Sequence, residues 1–120
     1  MNDAFLTERD AETLIIVPTT NLGELELDET LLQKICDLLQ DESIQNLVVD
    51  FHRTEYFGST SLGFFIRLWK RIRQRKGGMA LCNVSHNQAE ILRITRLDEL
   101  WKTFPSRADA LTAVKQSSSA

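Results

Sequence analysis

Short apolar segments alternate with amphipathic helical segments along most of this chain, and this alternation constrains the fold more than any other feature. The segments Thr13–Val17, Asn46–Phe51 and Met79–Val84 are apolar and often β-branched, and each has the length of a buried strand. A segment with helical spacing of its apolar residues lies between each successive pair. This alternation is typical of an α/β domain with a mixed, mostly parallel sheet that is covered by about four helices.

Two further strands and the start of the first helix can also be placed from the sequence. Leu22 and the segment Glu24–Leu27 alternate with period two, which predicts a half-exposed strand directly after the first one. Asp28 is placed to cap the first helix, whose apolar positions are Leu31, Leu32, Ile35, Leu38 and Leu39. Leu100–Phe104 predicts a last strand. The predicted order is therefore β-β-α-β-α-β-α-β-α, and we expect one edge of the sheet to be antiparallel because its first two strands are consecutive.

Capping signals mark the ends of the other helices. The long helix is predicted from about residue 60 to 76, and the pair Gly77–Gly78 after it favours a left-handed C-terminal cap. Ser85 and Ser106 each precede a helical segment, with Gln88 and Asp109 three residues further on, which is the spacing of a capping box. The last helix is predicted to reach about residue 114.

Length and composition indicate one domain and exclude several classes of protein. We assign residues 11–115 to the domain, 1–10 to an N-terminal extension and 116–120 to a disordered tail. Acidic residues number 17 and basic ones 14, for a net charge of −3. An acidic chain is a poor general nucleic-acid binder, because contacts to phosphates dominate that affinity. Without a signal peptide or an apolar run that spans a membrane, the chain is expected in the cytoplasm.

The thiols and imidazoles favour neither a disulfide nor a metal. Cys36 and Cys82 lie far apart in apolar surroundings and are interpreted as small core residues. The chain has two histidines and no Cys-x-x-Cys pair, so we expect no structural zinc and no cofactor.

The segment after the central strand resembles the central motif of STAS domains, the family of anti-sigma factor antagonists and sulfate-transporter tails. The resemblance lies in Leu47–Phe51 followed by Tyr56–Phe65. It continues in Gly23–Glu26, in the basic, glycine-closed segment Arg73–Gly78 and in the turn after Leu81–Val84. It covers about residues 11–115 and implies a STAS-like fold.

The resemblance also implies a switch at the start of the second helix. The family's regulatory serine, phosphorylated by a partner kinase, falls on Ser59, and Thr60 is the next hydroxyl along the chain. The family's Asp before that serine is Gly58 here. An unmodified family member binds an anti-sigma factor that is a serine kinase with an ATPase-type fold. The expected partner-binding residues are Glu24, Glu26, Tyr56, Phe57, Gly58, Ser61 and Leu62.

Other interpretations of the same residues stay open. Ser59 has the place of an ordinary helix cap, and the chain then becomes a constitutive STAS module of a signalling or lipid- or anion-transport complex. The long helix carries Arg67, Lys70, Arg71, Arg73, Arg75 and Lys76 without an acidic residue. These cations form either a solvated face or a surface for an acidic partner, a nucleotide or an anionic lipid.

Two catalytic motifs match only in part, and we predict no enzyme. Gly58–Gly63 has the spacing of a phosphate-binding loop, but Phe64 and Phe65 stand where that loop needs Lys and Ser or Thr. Ser61–Gly63 is similar to the second half of a nucleophile elbow, but neither histidine has an evident role as its base.

Overall fold

The computed structural model describes residues 5–19, 29–54 and 59–118. Five strands and four helices lie along these residues, and from the strand at Thr13 onward the described elements follow the predicted alternation of strands and helices. The strands are β1 (Phe5–Asp10), β2 (Thr13–Pro18), β3 (Asn46–Asp50), β4 (Met79–Cys82) and β5 (Lys102–Phe104). The helices are α1 (Glu29–Leu38), α2 (Ser59–Gln74), α3 (His86–Ile94) and α4 (Arg107–Ser118), with a 3₁₀ turn at Leu97–Glu99.

The strands form one mixed sheet in the order β1-β2-β3-β4-β5. Strands β2 to β5 are parallel, and β1 is antiparallel to β2. The sequence predicted an antiparallel edge, but from the strand at Thr13 and a strand after it, not from β1. Ile16 of β2 lies beside Val49 of β3, which lies beside Leu81 of β4. All parallel strands therefore end at one edge of the sheet, here called the carboxyl edge.

Alternate residues of strands β2 to β4 enter two separate cores. Leu14, Ile16, Leu47, Val49 and Leu81 belong to the larger core, together with apolar residues of α1, α2 and α3. The residues between them belong to the smaller core on the other face, which α4 closes with Ala110 and Val114. The three central strands are buried on both faces, which explains why they read as continuous apolar runs rather than alternating ones.

Strand β1 lies in the segment that the sequence analysis assigned to an N-terminal extension without a strand. Its residues 6–9 are exposed, so the segment lacks the apolar pattern of a buried strand. Its backbone pairs with β2 along its whole length. Ion pairs also join it to α4, from Glu8 to Arg107 at 3.0 Å and from Asp10 to Lys115 at 3.6 Å. The predicted strand of Leu22 and Glu24–Leu27 lies outside the described residues, as does the cap at Asp28.

The end of α2 differs from the prediction in one respect. The left-handed residue is Lys76, with φ of 60°, and no described glycine has a positive φ. Gly77 donates to Ile72 O at 3.1 Å and Lys76 donates to Arg73 O at 2.9 Å, which together form a Schellman motif. Gly77 is required for space: a Cβ atom there would lie 1.6 Å from the carbonyl oxygen of Gln45.

The predicted caps of α3 and α4 agree with the structure. Ser85 accepts a hydrogen bond from Gln88 N while the Gln88 side chain accepts one from Ser85 N, so the capping box is complete. Ser106 Oγ accepts from Asp109 N at 3.2 Å. Helix α4 continues to Ser118, past the predicted end at about 114 and into the segment assigned to the tail, because neither Gly nor Pro interrupts it.

The apolar positions predicted on the helices are mostly buried. Ile35 and Leu39 lie in the larger core, whereas Leu38 is 41% exposed. Phe65 and Trp101 are buried as well. The free thiols of Cys36 and Cys82 are buried as well.

Candidate functional site

The carboxyl edge of the sheet carries a cluster of polar side chains around Asp50, the last residue of β3. Asp50 is 2% exposed. Its Oδ1 accepts hydrogen bonds from Asn83 Nδ2 at 2.9 Å and from His52 N at 3.0 Å, and lies 3.0 Å from His52 Nδ1. Its Oδ2 accepts from Arg107 Nε at 3.0 Å, and Arg107 also pairs with Glu8. We call these five residues the Asp50 cluster.

The cluster holds a charged carboxylate in a buried place. Burial raises the pKa of Asp50, but the hydrogen bonds from Asn83, His52 and Arg107 outweigh burial and leave the pKa below its usual value. Partial burial lowers the pKa of Arg107, and its bonds to Asp50 and Glu8 outweigh that effect, so its pKa is raised. The carboxylate therefore stays ionised and binds the end of β3 to the start of α4.

The carboxylate of Asp50 also raises the pKa of the neighbouring Cys82 thiol. Burial and the negative charge of Asp50 raise the pKa of Cys82 to about 12. A thiol of that pKa is protonated near neutral pH, and a protonated thiol is a poor nucleophile. Cys82 is therefore a core residue here and not a reactive one.

A groove opens beside the cluster where β3, β4 and β5 end. It has a volume of about 640 Å³ and is lined by His52, Asn83, Val84, Thr103, Phe104 and Pro105. Asn83 has a left-handed backbone with φ of 56°, and its N–H donates to Phe104 O at 3.2 Å. The turn after β4 is thus fastened to the end of β5, which fixes one wall of the groove.

Helix α2 begins at this edge with the predicted hydroxyl residues. Its backbone starts at Ser59, and Thr60 and Ser61 follow in the first turn, which contains no acidic residue. Leu62 is 7% exposed and lies in the larger core, so little of its side chain is available to a partner.

Five of the predicted partner-binding residues lie outside the described residues, namely Glu24, Glu26, Tyr56, Phe57 and Gly58. Leu62 and the backbone of 59–61 are the parts of the predicted site that the structure describes. All four residues belong to the first turn of α2, which packs on the larger-core face of the sheet.

Sequence reasoning named Asp50 only as the end of a strand motif and missed Arg107 altogether. The available signal was a carboxylate directly after a run of buried apolar residues, where an unpaired charge would be costly. That signal predicts that a partner exists, but not that it comes from a helix 57 residues further along the chain.

The described residues limit two other kinds of site. No three His, Cys, Asp or Glu side chains among them lie close enough to hold a metal ion. None of the helices in this part of the chain has the length and apolarity needed to cross a membrane.

Comparisons with known proteins agree with this architecture. The family model of the STAS domain matches residues 26–110. An anti-sigma F factor antagonist of Paenibacillus polymyxa is 22% identical over 97 residues, which cover 81% of this chain and 76% of that protein.

Two solved structures show the same fold. An anti-sigma-factor antagonist (STAS) domain protein from Planctomyces limnophilus superposes with a TM-score of 0.78 at 28% identity, over 92% of this chain and 96% of that one. The Bacillus cell fate determinant SpoIIAA in its phosphorylated form superposes with a TM-score of 0.68 at 20% identity, over 92% and 99%.

The mixed sheet, with three helices on one face and one on the other, defines the class as a layered α/β domain. With the match over residues 26–110, the chain belongs to the STAS domain family.

Proposed function

We propose that this protein is an anti-sigma factor antagonist that acts as a protein-interaction switch. In its unmodified form it binds an anti-sigma factor that is also a serine kinase with an ATPase-type fold. Phosphorylation of Ser59 ends that binding, with Thr60 as the second candidate acceptor. The chain is then a binding protein of the cytoplasm and not an enzyme.

The start of α2 is the observation that carries this proposal. Ser59 is the first residue of a 16-residue helix, and the first turn has no acidic residue. Unbonded N–H groups at a helix start favour negative charge by about 0.3–1 kcal/mol. The fold therefore accepts a phosphoryl group at this place without internal repulsion from its own first turn.

The related proteins support the same use of this surface. Two of them are described as anti-sigma factor antagonists, and a third is described in a phosphorylated form. Phosphorylation adds a charge of about −1.5 to −2. A partner docked on the helix start would have to bury that charge, which is unfavourable without a matching cation.

The contact surface we propose comprises the start of α2 and two neighbouring segments. Its residues are Glu24, Glu26, Tyr56, Phe57, Gly58 and Ser61. Leu62, also predicted to bind the partner, lies in the larger core. The tyrosine and phenylalanine beside the switch have the aromatic character that interface centres favour.

Mass spectrometry of the intact protein, isolated from its own cells, tests the switch. We expect one phosphoryl group, mapped to Ser59 by fragmentation, under some growth conditions and not under others. A mark on Thr60 would keep the switch and move its site. The absence of any phosphoryl group under all conditions would instead favour a constitutive STAS module in a signalling or transport complex.

Binding of the kinase partner tests the consequence of the modification. Ser59→Ala should bind the partner as tightly as the unmodified protein, and Ser59→Asp should bind at least about tenfold more weakly if charge ends the contact. Thr112→Asp is the matched control, because Thr112 is exposed on α4. This variant should bind the partner as tightly as the unmodified protein does. Equal, wild-type affinity of all three variants would refute the switch at Ser59.

A further inference from the structure

A second groove lies at the opposite end of α2, far from the Asp50 cluster. It has a volume of about 540 Å³ and is lined by Gln40, Glu42, Gln45, Arg71 and Arg75. Residues 40–45 lead into the start of β3, so this groove lies at the amino edge of the parallel strands. Arg71 is 12 residues after Ser59, or about 18 Å along the helix at 1.5 Å per residue.

Arg75 is held in place at the wall of this groove. Its Nη1 donates to Ile44 O at 2.9 Å and to Asp41 O at 3.3 Å. The two carbonyl oxygens orient the guanidinium but do not neutralise its charge. The remaining N–H groups of the guanidinium lie in the same plane and can donate to a ligand. Arg75 is therefore a preorganised cation and not a freely rotating surface side chain.

Arg71 stands one helical turn before Arg75, on an exposed position. Like charges at this spacing destabilise a helix by about 0.2–0.5 kcal/mol. Neither guanidinium forms an ion pair with a residue that the structure describes, and this includes Glu42 on the same groove. The amide side chains of Gln40 and Gln45 complete a lining that is rich in N–H donors.

We propose that this groove binds a small oxyanion, a phosphate- or carboxylate-bearing metabolite, between Arg71 and Arg75. Guanidinium groups match the planar, paired oxygens of both chemical groups, and their bonds to anions are about twice as strong as neutral ones. The bound anion also neutralises the like charges of α2. This site is independent of the proposed partner switch, because it uses the other end of the helix.

Glu42 sets the strength of the site. Glu42 lines the same groove and forms no ion pair with either arginine, so its negative charge repels an incoming anion and weakens binding. Removing its charge should therefore tighten binding, whereas removing a cation should weaken it. General attraction to a basic helix would give the same two signs, so the comparison that separates the two cases is a cation of the same helix outside the groove.

Calorimetric titration of the whole chain with inorganic phosphate, pyrophosphate and citrate tests the proposal. In 0.15 M NaCl, exposed charges more than about 8 Å apart are largely screened, so contact binding dominates. We expect binding of at least one probe, about tenfold weaker in Arg71→Gln and measurably tighter in Glu42→Gln. Binding of phosphate and pyrophosphate but not of citrate would indicate a phosphoryl ligand. Binding of citrate alone would indicate a polycarboxylate ligand.

Arg67→Gln is the matched control, because Arg67 is exposed on the same helix and does not line the groove. Its affinity should stay within about twofold of wild type. Arg71→Lys keeps the charge but loses the planar guanidinium, so its affinity should lie between those of wild type and Arg71→Gln. Unchanged melting temperatures would show that the variants are folded. The inference is overturned if no probe binds at millimolar concentration, or if Arg67→Gln weakens binding as much as Arg71→Gln.

Discussion

Arg107 Nε donates to Asp50 Oδ2 across 3.0 Å and thereby joins the first residue of α4 to the last residue of the central strand. Asp50 is buried, while the side chain of Arg107 is 29% exposed. The pair lies at the edge of the sheet where α2 also begins. Stability at this edge therefore depends on a charge that other side chains must keep ionised.

Removing that charge should destabilise the fold. In Asp50→Asn, Arg107 loses its buried partner and Asn83 and the His52 backbone lose an ionised acceptor. We expect the free energy of unfolding at pH 7 to fall by about 2–3 kcal/mol, below the range for fully buried pairs because Arg107 is partly solvated. Urea denaturation measures the change. Glu90→Gln, which breaks an exposed pair with Arg93, is the control and should leave the midpoint unchanged.

The stabilisation from Asp50 should disappear in acid. Its pKa in the folded protein lies below the unfolded value, which is about 3.9. The contribution is therefore fully present above that value and is lost as the pH falls through the folded pKa. Urea midpoints of wild type and Asp50→Asn should converge between pH 5 and the acid limit of folding. Parallel curves with a constant offset would contradict the depressed pKa.

Neither thiol should react while the protein is folded. Cys82 is fully buried and its pKa is raised to about 12, and Cys36 is also buried. At pH 8 we expect no rapid modification of the native protein by a thiol-specific disulfide reagent, because the thiolate is the reacting form. Two thiols per chain should react at once in 8 M urea. Rapid modification of Cys82 in the native state would disprove its burial.

The two residues after α2 should respond in opposite directions to substitution. Lys76→Gly relieves a left-handed conformation and should stabilise the protein by about 0.5–1 kcal/mol. Gly77→Ala places a Cβ atom against the backbone of Gln45, which has to move, and should destabilise it by about 2 kcal/mol or more. Thermal denaturation compares the two. If Gly77→Ala left the melting temperature unchanged, the close approach of Gln45 would not be what requires a glycine at 77.

The local signals of the chain predicted most of the fold. Strands β2 to β4 could be predicted because both their faces are apolar. The start of α3 could be predicted because Ser85 and Gln88, which form its capping box, are close in sequence. The STAS motif around Leu47–Phe65 likewise lies within one continuous segment, so the sequence alone identified the family and pointed to the start of α2.

Long-range contacts decided what the sequence did not predict. Glu8 and Asp10 of β1 pair with cations of α4 about a hundred residues away along the chain, so no local pattern predicted these contacts. Gly77 is a glycine because Gln45 approaches it, and Asp50 is ionised because Arg107 and Asn83 surround it. Neighbour preferences determine strands, helices and caps, whereas the partners of buried charges and the space around a residue exist only once the chain has folded.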